Sequence, residues 1–172
     1  MKNDNVKSFT VLVAICVVVA ALMGIVNVIT APIIERIEAQ KVQDAMLVVL
    51  PTGENFTKLE VDSLDDSVQE IYTETNGGYV FKISATGYAS GMVIMCGINA
   101  DGIVTGATCI KSSETLEQEK TYGESFIGKD INNVDSVDTV TSATLTTTAY
   151  KEAIITALNV FDLLTESEAQ ND

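Results

Sequence analysis

Histidine is absent from this chain of 172 residues, and no Cys-x-x-Cys pair is present. Zinc, haem and iron–sulfur centres take most of their ligands from these residue types, so the usual ligand sets cannot be assembled. A histidine general base is excluded for the same reason. The usual metal centres and histidine-based catalysis are therefore not among the functions that this sequence supports.

Basic residues are scarce, with 10 Lys and Arg against 24 Asp and Glu and a formal net charge of −14. Between Glu35 and Asp172 the balance is 8 basic against 23 acidic residues, a formal charge of −15. Nucleic acids and anionic lipid head groups repel such a surface. We therefore expect no nucleic-acid partner.

Charge is missing altogether between Ser8 and Ile34, and this stretch is mostly apolar. It is long enough to cross a hydrocarbon core of about 30 Å, since a helix rises about 1.5 Å per residue. A cleaved signal peptide is the alternative, because Lys2 and Lys7 precede the run. The apolar region, however, exceeds the roughly 7–15 residues of a signal core, and Pro32 follows the best cleavage point. We predict an uncleaved transmembrane anchor.

The short tail before the anchor carries Lys2 and Lys7, and this charge bias favours a cytoplasmic N-terminus. Arg36 and Lys41 lie on the other side of the anchor and weaken the bias. The sequence predicts a single-pass protein of the cell membrane whose C-terminal domain is extracytoplasmic.

Cysteine occurs three times. Cys16 lies in the apolar run, where a thiol packs as a small hydrophobic group. Cys96 and Cys109 lie in two strand-like runs that flank a hairpin signal. A two-residue turn at Asp101-Gly102 would place Cys96 opposite Ala107 and leave Cys109 as a diagonal neighbour, too distant for an easy bridge. We predict free thiols.

The patterning after the anchor predicts one small α+β domain. Amphipathic spacing indicates a helix that ends before Pro51, and residues 51–66 indicate a polar surface connection. Runs rich in β-branched and aromatic residues predict an antiparallel meander. The predicted strands are Val68–Thr73, Tyr79–Thr86, Gly91–Ile98 and Ile103–Ile110, followed by a short helix at Glu114–Tyr122, a loop at Gly123–Val137 and a long helix at Thr146–Leu164.

The apolar residues of both helices are spaced for one face, which predicts an amphipathic first helix and a buried side for the last helix. The face of the first helix comprises Ile34, Ile37, Val42, Ala45 and Val48 or Val49. The face of the last helix comprises Ala153, Ile154, Ala157, Leu158, Val160 and Phe161.

Seven of the eleven residues from Asp138 to Thr148 carry hydroxyl groups. Hydroxyl donors and free backbone N–H groups at the positive end of a helix dipole can hold an anion such as a phosphate. Serine and threonine are also ordinary N-cap residues. From the residues alone, helix capping is favoured and phosphate binding stays open.

Within this stretch, Thr141-Ser142-Ala143-Thr144-x-Thr146 resembles the Ser/Thr-Gly-Ala-Thr-x-Thr motif of an FMN-binding domain family. That domain is found in the G subunit of the Rnf ion-translocating ferredoxin:NAD oxidoreductase complex and in the C subunit of the sodium-pumping NADH:quinone oxidoreductase. The resemblance implies that Thr144 carries FMN through a covalent phosphoester, with the three residues before it completing the motif. It also implies that Thr146 lies near the phosphate.

Other parts of the chain resemble the family in the expected order. They are Gly87-Tyr88 with Gly91, the hairpin from Asn99 to Gly106, and the Glu114-Thr115 pair. Glu114 and Thr115 are therefore candidate cofactor-binding residues, and a solvated first-turn carboxylate is the alternative for Glu114. The chain departs from the family at Ser142, which replaces the motif glycine, and at Ser113 and Leu116-Glu117, which replace parts of a His-x-Glu-Thr-Pro-Gly pattern.

The resemblance covers nearly the whole chain and implies four segments. They are a cytoplasmic tail and transmembrane anchor at 1–34, an amphipathic helix and linker at 35–66, an FMN-binding domain at 67–164, and an acidic tail at 165–172.

By resemblance, the chain is a membrane-anchored electron-transfer subunit of the Rnf complex, in which FMN does the redox chemistry. The implied partners are the other membrane subunits of that complex and a flavin transferase that attaches FMN from FAD. The short domain favours the G subunit of the Rnf complex, and the C subunit of the quinone oxidoreductase is the alternative. A type IV pilin and a ligand sensor without redox function are the alternatives from other classes. Pilins usually carry glutamate at the position of Val13.

Overall fold

The structure is a computed structural model that describes residues 2–60, 65–114 and 118–169. It confirms the α+β class, with a long apolar N-terminal helix, a five-stranded antiparallel sheet and a C-terminal helix. The chain forms two compact units, Met1–Gln40 and Lys41–Asp172. The elements are α1 at Lys2–Val49, β1 at Thr57–Leu59, β2 at Val68–Thr73, β3 at Tyr79–Ala85, β4 at Met92–Ile98, β5 at Val104–Lys111, α2 at Glu119–Tyr122 and α3 at Thr144–Ala169.

Helix α1 contains the one segment, among the described residues, that is long and apolar enough to cross a membrane. The helix ends at Val49, as the position of Pro51 predicted. Along the predicted amphipathic face of this helix, Ile34 and Ile37 are each 49% exposed. The buried part of this face begins only at Val42, where apolar residues of the sheet lie against the helix.

The sheet is a simple meander in the order β1-β2-β3-β4-β5, with every neighbouring pair antiparallel. The four predicted strands are confirmed to within two residues at each end. Strand β1 was missed, since Thr57–Leu59 was assigned to a surface connection. This strand is three residues long, mostly exposed and at the sheet edge, so it carries no apolar alternation that could reveal it.

One face of the sheet packs against α3. The predicted buried face of this helix is confirmed, because all six of its residues are at most 5% exposed. Near the start of α3, the ring of Tyr150 stacks on Phe126 at a centroid distance of 5.9 Å and meets the edge of Tyr122 at 5.6 Å. These rings fix the first turns of α3 to the core.

The opposite face of the sheet packs against the last turns of α1. The buried cluster there comprises Val42, Ala45, Met46, Val49, Leu50, Val80 and Met95. The Thr105 hydroxyl donates a hydrogen bond of 2.5 Å to the carbonyl oxygen of Val49. This bond satisfies a carbonyl that the helix itself leaves without a partner.

The β4–β5 hairpin differs from the predicted two-residue turn. The Asn99 N–H bonds to the Ile103 carbonyl and the Gly102 N–H bonds to the Asn99 carbonyl, so the loop has three residues and closes on Gly102 at φ 76°. A bulge between Gly97 and Ile98 then restores the register.

The predicted pairing of Cys96 with Ala107 is therefore confirmed, although the turn was wrong. Cys109 pairs with Ile94 and is the diagonal neighbour of Cys96. All three cysteines are free thiols in the structure.

The segment between the sheet and α3 differs from the prediction. Among the described residues, Glu114 is not helical and helix α2 covers Glu119–Tyr122, while the predicted loop contains short 3-10 turns at Gly123–Phe126 and Val134–Ser136. Helix α3 begins at Thr144, two residues earlier than predicted, because the 3-10 turn at Thr141–Ala143 leads directly into it. Thr144 is thus the first residue of the helix.

Candidate functional site

A cavity of about 340 Å³ lies at the start of α3. Its lining joins four parts of the chain: the turn between β3 and β4, the segment after β5, the 3-10 turn before α3, and the first residues of α3. The lining residues are Tyr88, Glu114, Ser142, Ala143, Thr144, Leu145 and Thr146.

Thr147 fixes the backbone from which the hydroxyl groups project. Its side chain is fully buried, and its oxygen accepts a hydrogen bond of 3.1 Å from the Val140 N–H. The same hydroxyl donates over 3.0 Å to the Ala143 carbonyl oxygen. Thr147 therefore ties the first turn of α3 to the backbone before it, which differs from the N-cap role that the hydroxyl-rich composition favoured.

Thr144 is exposed and has only long hydrogen bonds. Its hydroxyl lies 3.4 Å from the Val140 carbonyl oxygen and 3.3 Å from that of Thr141. Bonds of this length are weak and leave the oxygen lone pairs open. The Thr144 oxygen can therefore accept hydrogen bonds from a group that enters the cavity.

The other motif residues occupy different environments. Thr141 and Ser142 are exposed in the 3-10 turn, and Ser142 lines the cavity while Thr141 does not. Ala143 is buried, with 7% exposure, and forms part of the wall. Thr115 lies outside the described residues.

Glu114 joins two walls of the cavity, the turn between β3 and β4 and the first turn of α3. One carboxylate oxygen accepts a hydrogen bond of 2.6 Å from the Thr146 hydroxyl. The other accepts one of 3.0 Å from the Ala89 N–H. A side chain at Gly87 would block this arrangement, because a Cβ there would lie 2.7 Å from the Glu114 oxygen and 2.9 Å from the Thr146 Cα.

Sequence reasoning missed two lining residues, Tyr88 and Leu145. Both are large and apolar, yet Tyr88 is 75% exposed and Leu145 is 65% exposed. Leu145 occupies the variable position of the motif, and Tyr88 was noted only as part of a family resemblance. Exposure of two large apolar side chains at a cavity rim was the missing signal, and it is visible only in three dimensions.

The electrostatics of the cavity are unusual for a phosphate site. Among the described residues that line it, Glu114 is the one charged group and no lysine or arginine is present. In the described lining, the groups that can bind a phosphate are hydroxyl groups and the backbone N–H groups of the first turn of α3.

The comparisons with known proteins agree with this geometry. Residues 87–159 match the FMN-binding domain family. The chain is 26% identical over 188 residues to the G subunit of the Na(+)-translocating ferredoxin:NAD(+) oxidoreductase complex of Acetobacterium woodii, covering 91% of each chain. It is 25% identical over 178 residues to the G subunit of the ion-translocating oxidoreductase complex of Methanosarcina acetivorans, covering 91% of this chain and 94% of the relative. The resemblance that the motif predicted is therefore confirmed: the chain is similar along nearly its whole length to the G subunits of two ion-translocating oxidoreductase complexes, and residues 87–159 match the FMN-binding domain family.

Proposed function

We propose that this chain is a membrane-anchored electron-transfer subunit of an ion-translocating ferredoxin:NAD oxidoreductase complex and carries one FMN bound covalently to Thr144. The observation that carries the proposal is the exposed Thr144 hydroxyl in a cavity of a matched FMN-binding domain. The flavin supplies the redox chemistry when bound, and the chain supplies position and electrostatics. Oxidoreductase activity then belongs to the complex.

Accessibility favours Thr144 over the buried hydroxyls of Thr146 and Thr147, and the motif resemblance favours it over Ser142, which is also exposed and lines the cavity. Thr146 is 5% exposed and Thr147 is fully buried, and each hydroxyl donates a hydrogen bond of 3.0 Å or less. A phosphoester can form only at an oxygen that a second enzyme reaches. Thr144 meets this condition because it is exposed and weakly bonded.

Attachment from FAD requires no oxidant. The Thr144 oxygen attacks the phosphorus on the FMN side of FAD, the oxygen–phosphorus bond forms, and the anhydride bond to AMP breaks. AMP leaves, and the hydroxyl proton passes to a base of the transferase. The chain has no histidine to accept this proton, which is consistent with a separate flavin transferase as maturation partner.

The charge of the cavity supports a covalent tether. A free phosphate group is usually held by arginine, lysine or a helix N-terminus. The described lining offers no basic side chain, and the carboxylate of Glu114 repels an anion. A phosphoester holds the group without a cation and carries one negative charge fewer than the free phosphate.

The apolar rim fits a flat ring system. Tyr88 and Leu145 present exposed apolar surface on different segments of the lining. An isoalloxazine ring that covered them would remove this surface from water, which is favourable by about 25 cal/mol per Å². The residues present therefore fit an FMN whose phosphate lies at Thr144.

We place the membrane anchor in the apolar part of α1, with Lys2 and Lys7 in the cytoplasm and the flavin domain outside. The other membrane subunits of the complex are the expected electron-transfer partners. Protease added to spheroplasts should digest the domain. Full protection of residues 60–172 would contradict this orientation.

Substitution of Thr144 by valine tests the attachment site, since valine keeps the shape of threonine without the oxygen. The full-length chain is coexpressed with a flavin transferase, and covalent flavin is read as fluorescence in a denaturing gel. We expect complete loss in Thr144→Val and retention in the matched control Thr141→Val, whose hydroxyl is exposed but outside the cavity lining. Flavin on Thr144→Val refutes the site, and a wild-type chain that never carries flavin refutes the function.

A further inference from the structure

We infer that Glu114 is a positioning residue that holds the two walls of the cavity together, and that it does not bind the flavin or its phosphate. The effect of Glu114 on the flavin rests on the proposed function. The two hydrogen bonds by which Glu114 links the cavity walls, which we call the clamp, do not depend on that function. The two bonds of its carboxylate join Glu114 to residues 25 and 32 positions away in the chain.

Both carboxylate oxygens are already in use within the protein. One accepts from the Thr146 hydroxyl at 2.6 Å and the other accepts from the Ala89 N–H at 3.0 Å. Hydrogen bonds of this length to an ionised carboxylate are among the stronger ones in proteins. They connect the turn that carries Tyr88 with the helix start that carries Thr144 and Leu145.

A phosphate is a poor partner for this carboxylate. An ionised carboxylate is an acceptor only, and so is an ionised phosphoester, which means that neither can donate to the other. Two like charges in contact also repel each other. Glu114 therefore acts on the flavin through the walls that it holds.

The clamp gives Thr146 a role that differs from the one the family resemblance implies. Its hydroxyl proton points to Glu114, so it is not available to a phosphate. Gly87 belongs to the same arrangement, since a Cβ would displace either the carboxylate or the α3 backbone. Thr146 and Gly87 are therefore both part of the clamp, because each lies directly against Glu114.

The test uses the full-length chain in detergent without flavin and again after coexpression with the transferase. The variants are Thr146→Val, Thr146→Ser, Glu114→Ala and the control Thr148→Val, whose residue is half-buried and has no hydrogen bond to Glu114. Hydrogen exchange by mass spectrometry reports the backbone of residues 87–91 in the flavin-free chain. Fluorescence anisotropy of the attached flavin reports how firmly the ring is held.

Thr146→Val and Glu114→Ala should raise hydrogen exchange in residues 87–91 about tenfold, the effect of losing one hydrogen bond to a charged group. Thr146→Ser should restore the wild-type rate, and Thr148→Val should not change it. The anisotropy of the flavin should fall and recover in the same order. Thermal unfolding of each variant identifies a global loss of structure. If Glu114→Ala does not fold, the comparison of Thr146→Val with Thr146→Ser still tests the inference.

Unchanged exchange in Thr146→Val overturns the inference. So does a loss of flavin in Glu114→Ala with normal exchange, because that result makes Glu114 a direct ligand. A wild-type chain without flavin would refute the proposed function and leave the exchange experiment valid.

Discussion

The two faces of the sheet are covered in different ways. Among the described residues, the face under α3 belongs to a cluster of 22 buried apolar residues that also includes residues of α2 and the 3-10 turns. The face under the end of α1 belongs to a cluster of 7 described residues. Charged groups lie beside that smaller cluster. The carboxylate of Glu70 forms salt bridges with the Nζ atoms of Lys82, at 2.9 Å, and Lys58, at 3.0 Å.

The difference explains where a rigid cofactor site can be built. The first turn of α3 rests on the larger cluster through Tyr150, so the hydroxyls of the motif project from a fixed base. The α1 face has fewer apolar neighbours and relies on polar bonds, such as that from Thr105 to Val49. We therefore expect the α3 face to contribute more to stability than the α1 face, and the cavity at the start of α3 to rest on the larger cluster.

Adjacent residues of β4 provide the most direct comparison of the two faces. Ile94 belongs to the α3 cluster, Met95 belongs to the α1 cluster, and both are fully buried. We expect Ile94→Ala to lower the free energy of unfolding by about 4 kcal/mol and Met95→Ala by about 2 kcal/mol, because a small cluster closes a cavity more easily. Chemical denaturation measures both, with Leu163→Ala as the exposed control. Equal losses would contradict the comparison.

The next largest effect concerns a buried hydroxyl of the α3 face. Thr147→Val leaves the Val140 N–H and the Ala143 carbonyl without their side-chain partner. The expected loss in unfolding free energy is about 1–2 kcal/mol. Covalent flavin should persist, since Thr144 is unchanged. A stable Thr147→Val chain that has lost its flavin would show that the buried and exposed hydroxyls have been assigned the wrong roles.

The sheet and the buried face of α3 could be predicted because their apolar periodicity is strong. Ile154 and Leu158 recur at helical spacing, and β4 is an unbroken run of buried residues. The turn after Ile98 could not be predicted from Asp101-Gly102, because three-residue and two-residue loops both use glycine at positive φ. The bulge that corrected the register leaves no pattern in the sequence.

The candidate site could be predicted along the motif itself and, through the family resemblance, at Glu114. Thr144 was found because a linear pattern contains it. The Glu114 clamp depends on a contact across 32 positions, and the rim residue Tyr88 on exposure in the folded chain, neither of which periodicity reports. The sequence therefore named five of the seven lining residues, and the two rim residues Tyr88 and Leu145 were missed.

On the α1 face, Glu70 gives a pH-dependent prediction. Burial would raise the pKa of Glu70, but hydrogen bonds from Lys82, Lys58 and Tyr72 outweigh it and lower the pKa from 4.5 to about 2. The folded state therefore gains stability above about pH 4.5, and this gain is lost as the pH falls toward 2. We expect Glu70→Gln to cost about 1 kcal/mol at neutral pH, since solvent screens the pair, and almost nothing near pH 2. A loss that does not change with pH would mean that the charge is not responsible.

The smallest effect is expected for Cys96 and Cys109, the two thiols of the α3 face. Treatment with a reductant should leave the free energy of unfolding unchanged. Burial raises the pKa of Cys96 to about 12 and that of Cys109 to about 11. At pH 8 only about one Cys109 in a thousand is then the reactive thiolate.

Alkylation of the folded, unreduced chain should therefore be slow at Cys96 and Cys109, and both should be modified once the chain is unfolded. Mass spectrometry of the peptides measures this, and unfolding with and without a reductant should give the same midpoint. A disulfide would need Cys109 opposite Cys96, whereas the register places it opposite Ile94. A mass lower by two hydrogens with neither thiol labelled would require a shift of β5 by two residues, and that shift would also move the segment after β5 that carries Glu114 in the cavity wall.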